Sequence, residues 1–156
     1  MDSYKFRKIG WIAALFLAFQ ISGCSLFAPK VALDHVTVDV EPRANNDTPI
    51  AIDFVVASDS QLFERLKATP ASQWFEQRAQ LARDYPNMFS VWHLEVVPGQ
   101  FLELKENPLK GRPGSGLLLF ASYNTPGAHR LLVEHQPSIW LRLGAREMRL
   151  LDAQGQ

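Results

Sequence analysis

The chain has 156 residues with 16 basic and 16 acidic side chains, and it contains a single cysteine. A balanced charge gives no electrostatic reason to bind nucleic acid, and one cysteine excludes an intrachain disulfide. The sequence shows neither an internal repeat nor a low-complexity segment, so a single domain with one sizeable core is expected.

The first segment has the pattern of an export signal. Lys5, Arg7 and Lys8 precede an apolar stretch over residues 11–21 that only one glutamine interrupts. This stretch is about half of the ~20 residues that a bilayer-spanning helix needs. A basic cluster, a short apolar run and small residues before a break are typical of a signal peptide rather than of a membrane span.

The break itself reads Ile21-Ser22-Gly23-Cys24, and it resembles the lipobox of bacterial lipoproteins, in which the signal is removed just before an acylated cysteine. This predicts a cleaved signal peptide over residues 1–23, lipidation of Cys24 and a lipid-anchored tether over residues 24–30. The alternative is an ordinary secretory signal that ends near a buried cysteine. Acyl chains would hold the terminus in a membrane while the domain stays in water.

Two consequences follow from cleavage before Cys24. Three basic side chains and one acidic side chain are lost with the signal, which leaves 13 basic and 15 acidic residues and again no reason to bind nucleic acid. In lipoprotein sorting, Ser25 directly after the cysteine, rather than an aspartate, implies the outer membrane with the domain facing the periplasm.

The domain predicted over residues 31–152 begins with two strands. Val36, Val38 and Val40 alternate with polar residues, which is typical of a half-buried strand. The segment Glu41–Pro49 is rich in turn-forming residues and predicts an exposed loop. Residues 50–57 then alternate again and predict a second strand.

Helical patterns follow the second strand. Leu62, Phe63 and Leu66 have the spacing of a short helix with one apolar stripe. Thr69 and Pro70 predict the N-cap and first residue of a second helix that runs to about residue 84. Together they form a helical insertion between the second and third strands.

Strand patterns return from Phe89 to Val97, and Pro98-Gly99 predicts a turn into an antiparallel strand over residues 101–104. Residues 117–123 lack alternation, which indicates a strand that is covered on both faces. A strand over residues 129–134 and a final hairpin complete the pattern, with Gly144-Ala145 as a two-residue type II′ turn.

These elements predict a mainly β protein, an antiparallel β-sandwich with a short helical insertion. A closed barrel remains the alternative, because the same strand pattern can close on itself.

Motifs for chemistry are weak. The four histidines do not have zinc-site spacing, and the common nucleophile and phosphate-binding motifs are missing from the sequence, so we expect no enzyme, no metal and no cofactor. Glu95 and Glu103 flank the Pro98-Gly99 turn and could face each other as paired carboxylates, although solvated strand residues are the simpler interpretation. Trp74 and Phe75 could stack on a sugar, or pack onto the sheet.

Several segments in this order resemble the outer-membrane lipoproteins of type VI secretion systems, the TssJ-like family. The resemblance lies in "LDHVTVDV", in "ANNDTP" leading into "IAIDFVVASDSQLFERL", in "VWHLEVVPGQFLEL" and in "GLLLFASYNTPGAHRLLVE". It implies a transthyretin-like sandwich that is not an enzyme. It also implies that the protein helps to assemble the membrane complex by binding the periplasmic part of an inner-membrane, TssM-like partner.

In that family the loop after the first strand is implicated in gripping the partner. The matching residues here are Arg43, Asn45, Asn46, Asp47 and Thr48. We expect replacement of Asn45, Asn46 and Asp47 by Ala, Gly and Ala to weaken partner binding with little loss of folding, because no core side chain would change. The alternative is that Asn-Asn-Asp merely makes a tight turn.

A second functional hypothesis belongs to a different class. The polar segment over residues 107–116, with Lys110 and Arg112, could bind a small ligand or glycan, or inhibit a cell-wall hydrolase.

Overall fold

The computed structural model describes residues 29–134 and 136–151. Over these residues two four-stranded sheets pack face to face, and two helices cover the outer face of one sheet. The elements are β1 (His35–Val40), β2 (Ile50–Ala57), α1 (Ser60–Ala68), α2 (Ala71–Asp84), β3 (Phe89–Val96), β4 (Phe101–Leu104), β5 (Leu117–Ala121), β6 (Arg130–Val133), β7 (Ser138–Leu143) and β8 (Met148–Leu151). The predicted sandwich with a helical insertion is confirmed, whereas the signal peptide, Cys24 and most of the tether lie outside the described residues.

The first sheet has the strand order β4-β1-β7-β8, and the second has the order β3-β2-β5-β6. No strand pairing joins the two sheets in the part of the chain that the structure describes, so the barrel alternative is wrong. The predicted antiparallel arrangement holds for every strand pair between these elements except β1 and β7, which run parallel. About 100 residues separate these two strands, so no hairpin turn sets their relative direction.

The main core lies between the sheets and follows the alternation of the sequence. Val36, Val38 and Val40 of β1 are at most 2% exposed, and they face the even-numbered side chains of β2. On the opposite face of β2, Val55 and Ala57 pack instead under the helices, in a second cluster. All five residues of β5 are buried, as their lack of alternation predicted.

The helices begin and end close to their predicted positions, but one cap differs. The Asp59 carboxylate accepts the Leu62 N–H at 2.8 Å and caps α1. Thr69 is not the N-cap of α2, because its hydroxyl donates to the Arg65 carbonyl at 2.9 Å and its backbone closes the end of α1. Pro70 takes the N-cap position of α2, and no side-chain hydrogen bond caps that helix.

The predicted hairpin between β3 and β4 is wrong. The turn over residues 97–100 carries the chain from the second sheet to the first, where β4 pairs with β1. Backbone bonds from Val40 N–H to Gln100 O and from Gly99 N–H to Glu41 O fasten this turn to the end of β1. Glu95 and Glu103 therefore lie in different sheets and do not form a carboxylate pair.

The turn of the last hairpin, between β7 and β8, differs in position and type from the predicted one. Leu143 pairs with Met148, and the Gly144 N–H donates to the Glu147 carbonyl at 2.9 Å, so the turn centres on Ala145 and Arg146. Neither central residue has a positive φ, which a type II′ turn would require at the first of them.

The strand directions place the connections at two opposite ends of the sandwich. One end, called here the loop end, consists of residues 41–49, 97–100, 122–129 and 144–147. The other, called the N-terminal end, holds the first described residues 29–34 and the segment 105–116. The Val31 N–H donates to the Arg112 carbonyl, and the Gly111 N–H donates to the Val31 carbonyl, so these two segments are fastened to each other.

Candidate functional site

The predicted partner-binding loop has an unusual backbone. Asn45, Asn46 and Asp47 have φ angles of 50°, 56° and 61°, so three successive non-glycine residues lie in the left-handed region. Such a conformation costs roughly 1–2 kcal/mol per residue, and asparagine and aspartate tolerate it best. The Asn-Asn-Asp sequence is therefore explained by the turn that it forms.

Asn45 is the anchor of this turn. It is 1% exposed, although the polar sequence predicted an exposed loop. Its side-chain amide donates to the Pro49 carbonyl at 3.1 Å, and its side-chain oxygen accepts the Asn124 N–H at 2.7 Å. The left-handed turn directs the Asn45 side chain inward, so this residue is not presented at the surface.

Thr48 reinforces the same connection. Its hydroxyl donates to the Asn45 carbonyl at 2.7 Å and accepts from the Asn124 side-chain amide at 2.8 Å. The loop after β1 is thereby tied to residues 122–129, another segment of the loop end.

The remaining three predicted residues are exposed. The side chains of Arg43 and Asp47 are 87% and 60% exposed, and Asn46 is exposed between them. The Arg43 Nε and the Asp47 carboxylate lie 3.9 Å apart, and a solvated pair at this distance adds little stability. These three side chains are therefore free to contact another molecule from a firmly held backbone.

Tyr123 joins the neighbouring segments of the loop end. Its hydroxyl donates to the Glu147 carbonyl at 2.8 Å, and its ring stacks on His129 at 4.7 Å. Burial raises the pKa of Tyr123 far above its usual value, and the negative charges of Glu41 and Glu147 add to this effect. The phenol stays protonated and keeps its donor role at any physiological pH.

A second polar cluster was not predicted from the sequence. The Asp53 carboxylate is fully buried, and it accepts hydrogen bonds from Trp74 Nε1 at 2.8 Å, from Arg78 at 2.8 Å and from His93 Nδ1 at 2.6 Å. These donors come from α2 and β3, so the carboxylate fastens the helix to the sheet. The only signal in the sequence was a single charged residue inside the otherwise apolar strand β2.

The same cluster decides between the two interpretations of Trp74. Its indole is fully buried and stacks on Phe120 at 5.0 Å between ring centroids. Trp74 is thus part of the core and unavailable to a sugar, while Phe75 is half-buried with the Arg78 guanidinium over its ring.

Most polar contacts of the segment with Lys110 and Arg112 are with the first described residues of the chain. The buried Asn107 amide donates to the Leu33 carbonyl at 2.8 Å, and the Lys110 ammonium contacts Asp34 at 2.6 Å. The hydrogen bond from Lys110 lowers the pKa of Asp34 below its usual value. Arg112 is exposed.

Within residues 29–134 and 136–151, no three His, Cys, Asp or Glu side chains come close enough together to hold a metal ion. In the same residues, neither helix has the length and apolar character that crossing a bilayer requires.

No protein-family model and no curated protein matches the chain by sequence. Solved structures do match by fold. TssJ1, a type VI secretion lipoprotein from Pseudomonas aeruginosa, aligns with 75% of this chain and 92% of its own at 12% identity, with a TM-score of 0.54. A chain of a type VI membrane complex aligns with 75% of this chain and 95% of its own at 12% identity, with a TM-score of 0.56.

A third match is Lip from Serratia marcescens, a membrane-bound component of the type VI secretion system. It aligns with 76% of this chain and 96% of its own at 11% identity, with a TM-score of 0.52. The chain therefore has the sandwich fold of the TssJ lipoproteins, and the resemblance inferred from short sequence segments is confirmed at the level of the fold.

Proposed function

We propose that this protein is an outer-membrane lipoprotein that serves, without enzymatic activity, as an assembly component of a type VI secretion membrane complex. Its partner is the periplasmic part of a TssM-like inner-membrane component. The observation that carries the proposal is the shared fold, which extends over at least 92% of each of the three neighbours described above.

The positions of the two ends of the sandwich support this role. β1 has six residues, so at about 3.3 Å per residue it separates the N-terminal end from the loop end by roughly 20 Å. A lipid on Cys24 would precede Lys30 by only six residues and would hold the N-terminal end near the membrane. The loop end would then point away from the membrane, toward a partner in the periplasm.

The loop after β1 suits partner binding through its exposed side chains. Arg43, Asn46 and Asp47 provide a cation, an amide and a carboxylate on a backbone that Asn45 and Thr48 fix in place. A loop that is already ordered loses little conformational entropy on binding. We assign the contact to these three residues and the positioning of the loop to the other two.

The test is a variant that removes the three exposed side chains and keeps the backbone. Arg43→Ala, Asn46→Gly and Asp47→Gly are combined, because glycine accepts positive φ without strain. The full-length chain is co-purified from membranes with its TssM-like partner, and the affinity is measured in detergent. We expect binding to weaken by at least about tenfold, which corresponds to roughly 1.4 kcal/mol, with an unchanged melting temperature.

The matched control is Glu106→Ala combined with Arg112→Ala, which removes an exposed acid and an exposed base at the N-terminal end. This variant should bind the partner like the unmodified chain. Equal binding by all three proteins would refute the assignment to the loop, and no binding by the unmodified chain would refute the proposed function.

The alternative function, ligand or glycan binding by residues 107–116, has no specific observation in its favour. Asn107 and Lys110 are engaged with the N-terminal segment, and Leu109 is buried.

A further inference from the structure

One edge of the sandwich concentrates the exposed apolar side chains. Among the described residues, five large hydrophobic side chains are exposed, and four of them belong to β3, to its immediate ends or to the start of β4. These four are Met88, Val91, Val97 and Phe101, which are 40% to 54% exposed. The fifth, Leu132, lies on β6 at the opposite edge.

β3 is also the long open edge of its sheet. It has eight residues, whereas the three other strands that end a sheet, β4, β6 and β8, have four each. Proteins protect edge strands by keeping them short or by placing lysine, proline or a bulge on them. The sequence FSVWHLEV contains neither lysine nor proline, and its register with β2 is uninterrupted.

The backbone of β3 is oriented for pairing on its open side. The Ser58 N–H donates to the Met88 carbonyl at 2.9 Å, which continues the β2–β3 register by one residue pair beyond Ala57 and Phe89. Hydrogen-bonding direction alternates along an antiparallel strand. The even-numbered residues of β3 therefore bond to β2, and the N–H and C=O groups of residues 89, 91, 93 and 95 point to the open edge.

We propose that β3 pairs antiparallel with β3 of a second copy of this chain, in a register centred on Leu94, so that two four-stranded sheets form one continuous sheet. In this register His93 lies opposite Glu95 of the second copy, and these two residues supply the ladder hydrogen bonds. Val91 lies opposite Val97 of the second copy through side chains alone, because the Val97 N–H and C=O are already bonded to Gln100 in the turn. Two-fold symmetry repeats both pairs. The two exposed valines of each copy are thus covered by the valines of the other copy. The His93 imidazole of each copy lies beside the Glu95 carboxylate of the other.

Neighbouring registers lack this complementarity. Centred on His93, the strands would set each histidine opposite itself and Val91 opposite Glu95. Centred on Trp92, they would set Val91 opposite His93 and Phe89 opposite Glu95. Directly opposed side chains on one face of a sheet contribute roughly 0.2–1 kcal/mol when they match and destabilise when they do not. The sequence of β3 is thus complementary to a second copy of itself, and of the three registers compared only the one centred on Leu94 has this complementarity. The proposal does not depend on the proposed secretion function.

A cysteine at the symmetry centre tests the register. The two copies of residue 94 would form a directly opposite pair without hydrogen bonds, with Cα atoms about 4.5 Å apart, within the range of a disulfide. The full-length chain carrying Leu94→Cys is produced with its own leader and examined on a non-reducing gel. We expect a disulfide dimer from this variant and none from the parent chain, which controls for Cys24.

The matched control for position is Glu95→Cys. This residue is more exposed than Leu94, but in the proposed register it lies opposite residue 93 of the second copy, two residues away from the other cysteine. Its Cα atoms would be more than 7 Å apart, too far for an unstrained disulfide. We expect its dimer yield to be at least about fivefold lower than that of Leu94→Cys. Equal yields from the two variants would overturn the proposed register.

The matched control for the edge uses lysine. Val91→Lys, added to Leu94→Cys, should abolish the cross-link, because edge lysines oppose strand pairing. Leu132→Lys on the opposite edge should leave the cross-link unchanged. Loss of the cross-link in both, or in neither, would overturn the proposal.

Sedimentation of the purified chain without any new cysteine gives an independent readout if Leu94→Cys folds poorly. We expect a monomer–dimer equilibrium at concentrations of up to about 100 µM, shifted to monomer by Val91→Lys and not by Leu132→Lys. A strictly monomeric unmodified chain over this range would contradict the proposal.

Discussion

At the scale of single residues, the buried Asn45 side chain holds the loop after β1 through its hydrogen bonds to Pro49 and Asn124. The cluster of turn formers between β1 and β2 correctly predicts a turn. It does not predict that Asn45 points inward, because the groups that satisfy it include the backbone of Asn124, nearly 80 residues further along the chain. A contact over that distance leaves no local pattern.

We predict that Asn45→Ala destabilises the fold, whereas Asn46→Gly does not. Alanine at position 45 would leave the Asn124 N–H and the Pro49 carbonyl without their partner. The unfolding free energy should fall by about 1–3 kcal/mol, measured by chemical denaturation. Glycine at position 46 keeps the left-handed backbone and removes only an exposed side chain. Equal stability of the two variants would contradict the buried role of Asn45.

The contribution of the hydrogen bond from Trp74 to the buried Asp53 carboxylate can be tested by comparing two tryptophan substitutions. Trp74→Phe removes one of its donors and should lower the unfolding free energy by about 1–3 kcal/mol beyond the effect of the smaller ring. Trp140→Phe removes a buried indole N–H that has no hydrogen-bond partner, so only the packing term is lost. Thermal denaturation of both variants measures the difference. A larger loss in Trp140→Phe would show that the Asp53 bond contributes nothing.

At the scale of elements, the presence and the length of a strand or helix are predictable, because the hydrophobic periodicity that indicates them lies within the segment itself. The strand over residues 50–57 and the fully buried strand that begins at Leu117 are found as predicted. The choice of a strand's partner, by contrast, depends on residues that are distant in the sequence. Nothing in the sequence around Pro98-Gly99 reveals that β4 crosses to the other sheet, because the bonds that hold the turn come from Val40 and Glu41 of another segment. Similarly, Thr69 satisfies the end of one helix instead of starting the next.

The cap of α1 can be tested directly. Asp59→Ala removes the side-chain acceptor for the Leu62 N–H and should cost about 1 kcal/mol of stability. Ser60→Ala, at the exposed first residue of the helix, is the control and should change stability by less than about 0.5 kcal/mol. Urea denaturation of both variants provides the comparison. If Ser60→Ala were the more damaging change, the cap would be misassigned.

At the scale of the whole molecule, the number and spacing of strands predict a sandwich but leave a closed barrel as the alternative. They are not sufficient to predict which connections meet at one end, since that depends on strand order and direction. Only the folded topology places residues 41–49 beside residues 122–129, opposite the N-terminal end. This arrangement makes lipid anchoring at one end compatible with partner binding at the other.

The proposed lipid anchor on Cys24 can be tested separately. Cys24→Ala should prevent acylation and move the protein out of the outer-membrane fraction, because the proposed attachment is through the acyl chains on Cys24. Fractionation by density gradient, with mass spectrometry of the mature N-terminus, measures both effects. An unchanged membrane fraction, or an unacylated residue 24 in the native chain, would contradict the lipoprotein proposal.

The most direct measurement is site-specific photo-crosslinking in cells, with a photoreactive residue in place of Arg43 at the loop end or of Arg112 at the N-terminal end. Both positions carry exposed arginines, so the two substitutions are matched. We predict a cross-link to the periplasmic part of the TssM-like component from position 43 and none from position 112. A cross-link to that partner from position 112 alone would contradict the account.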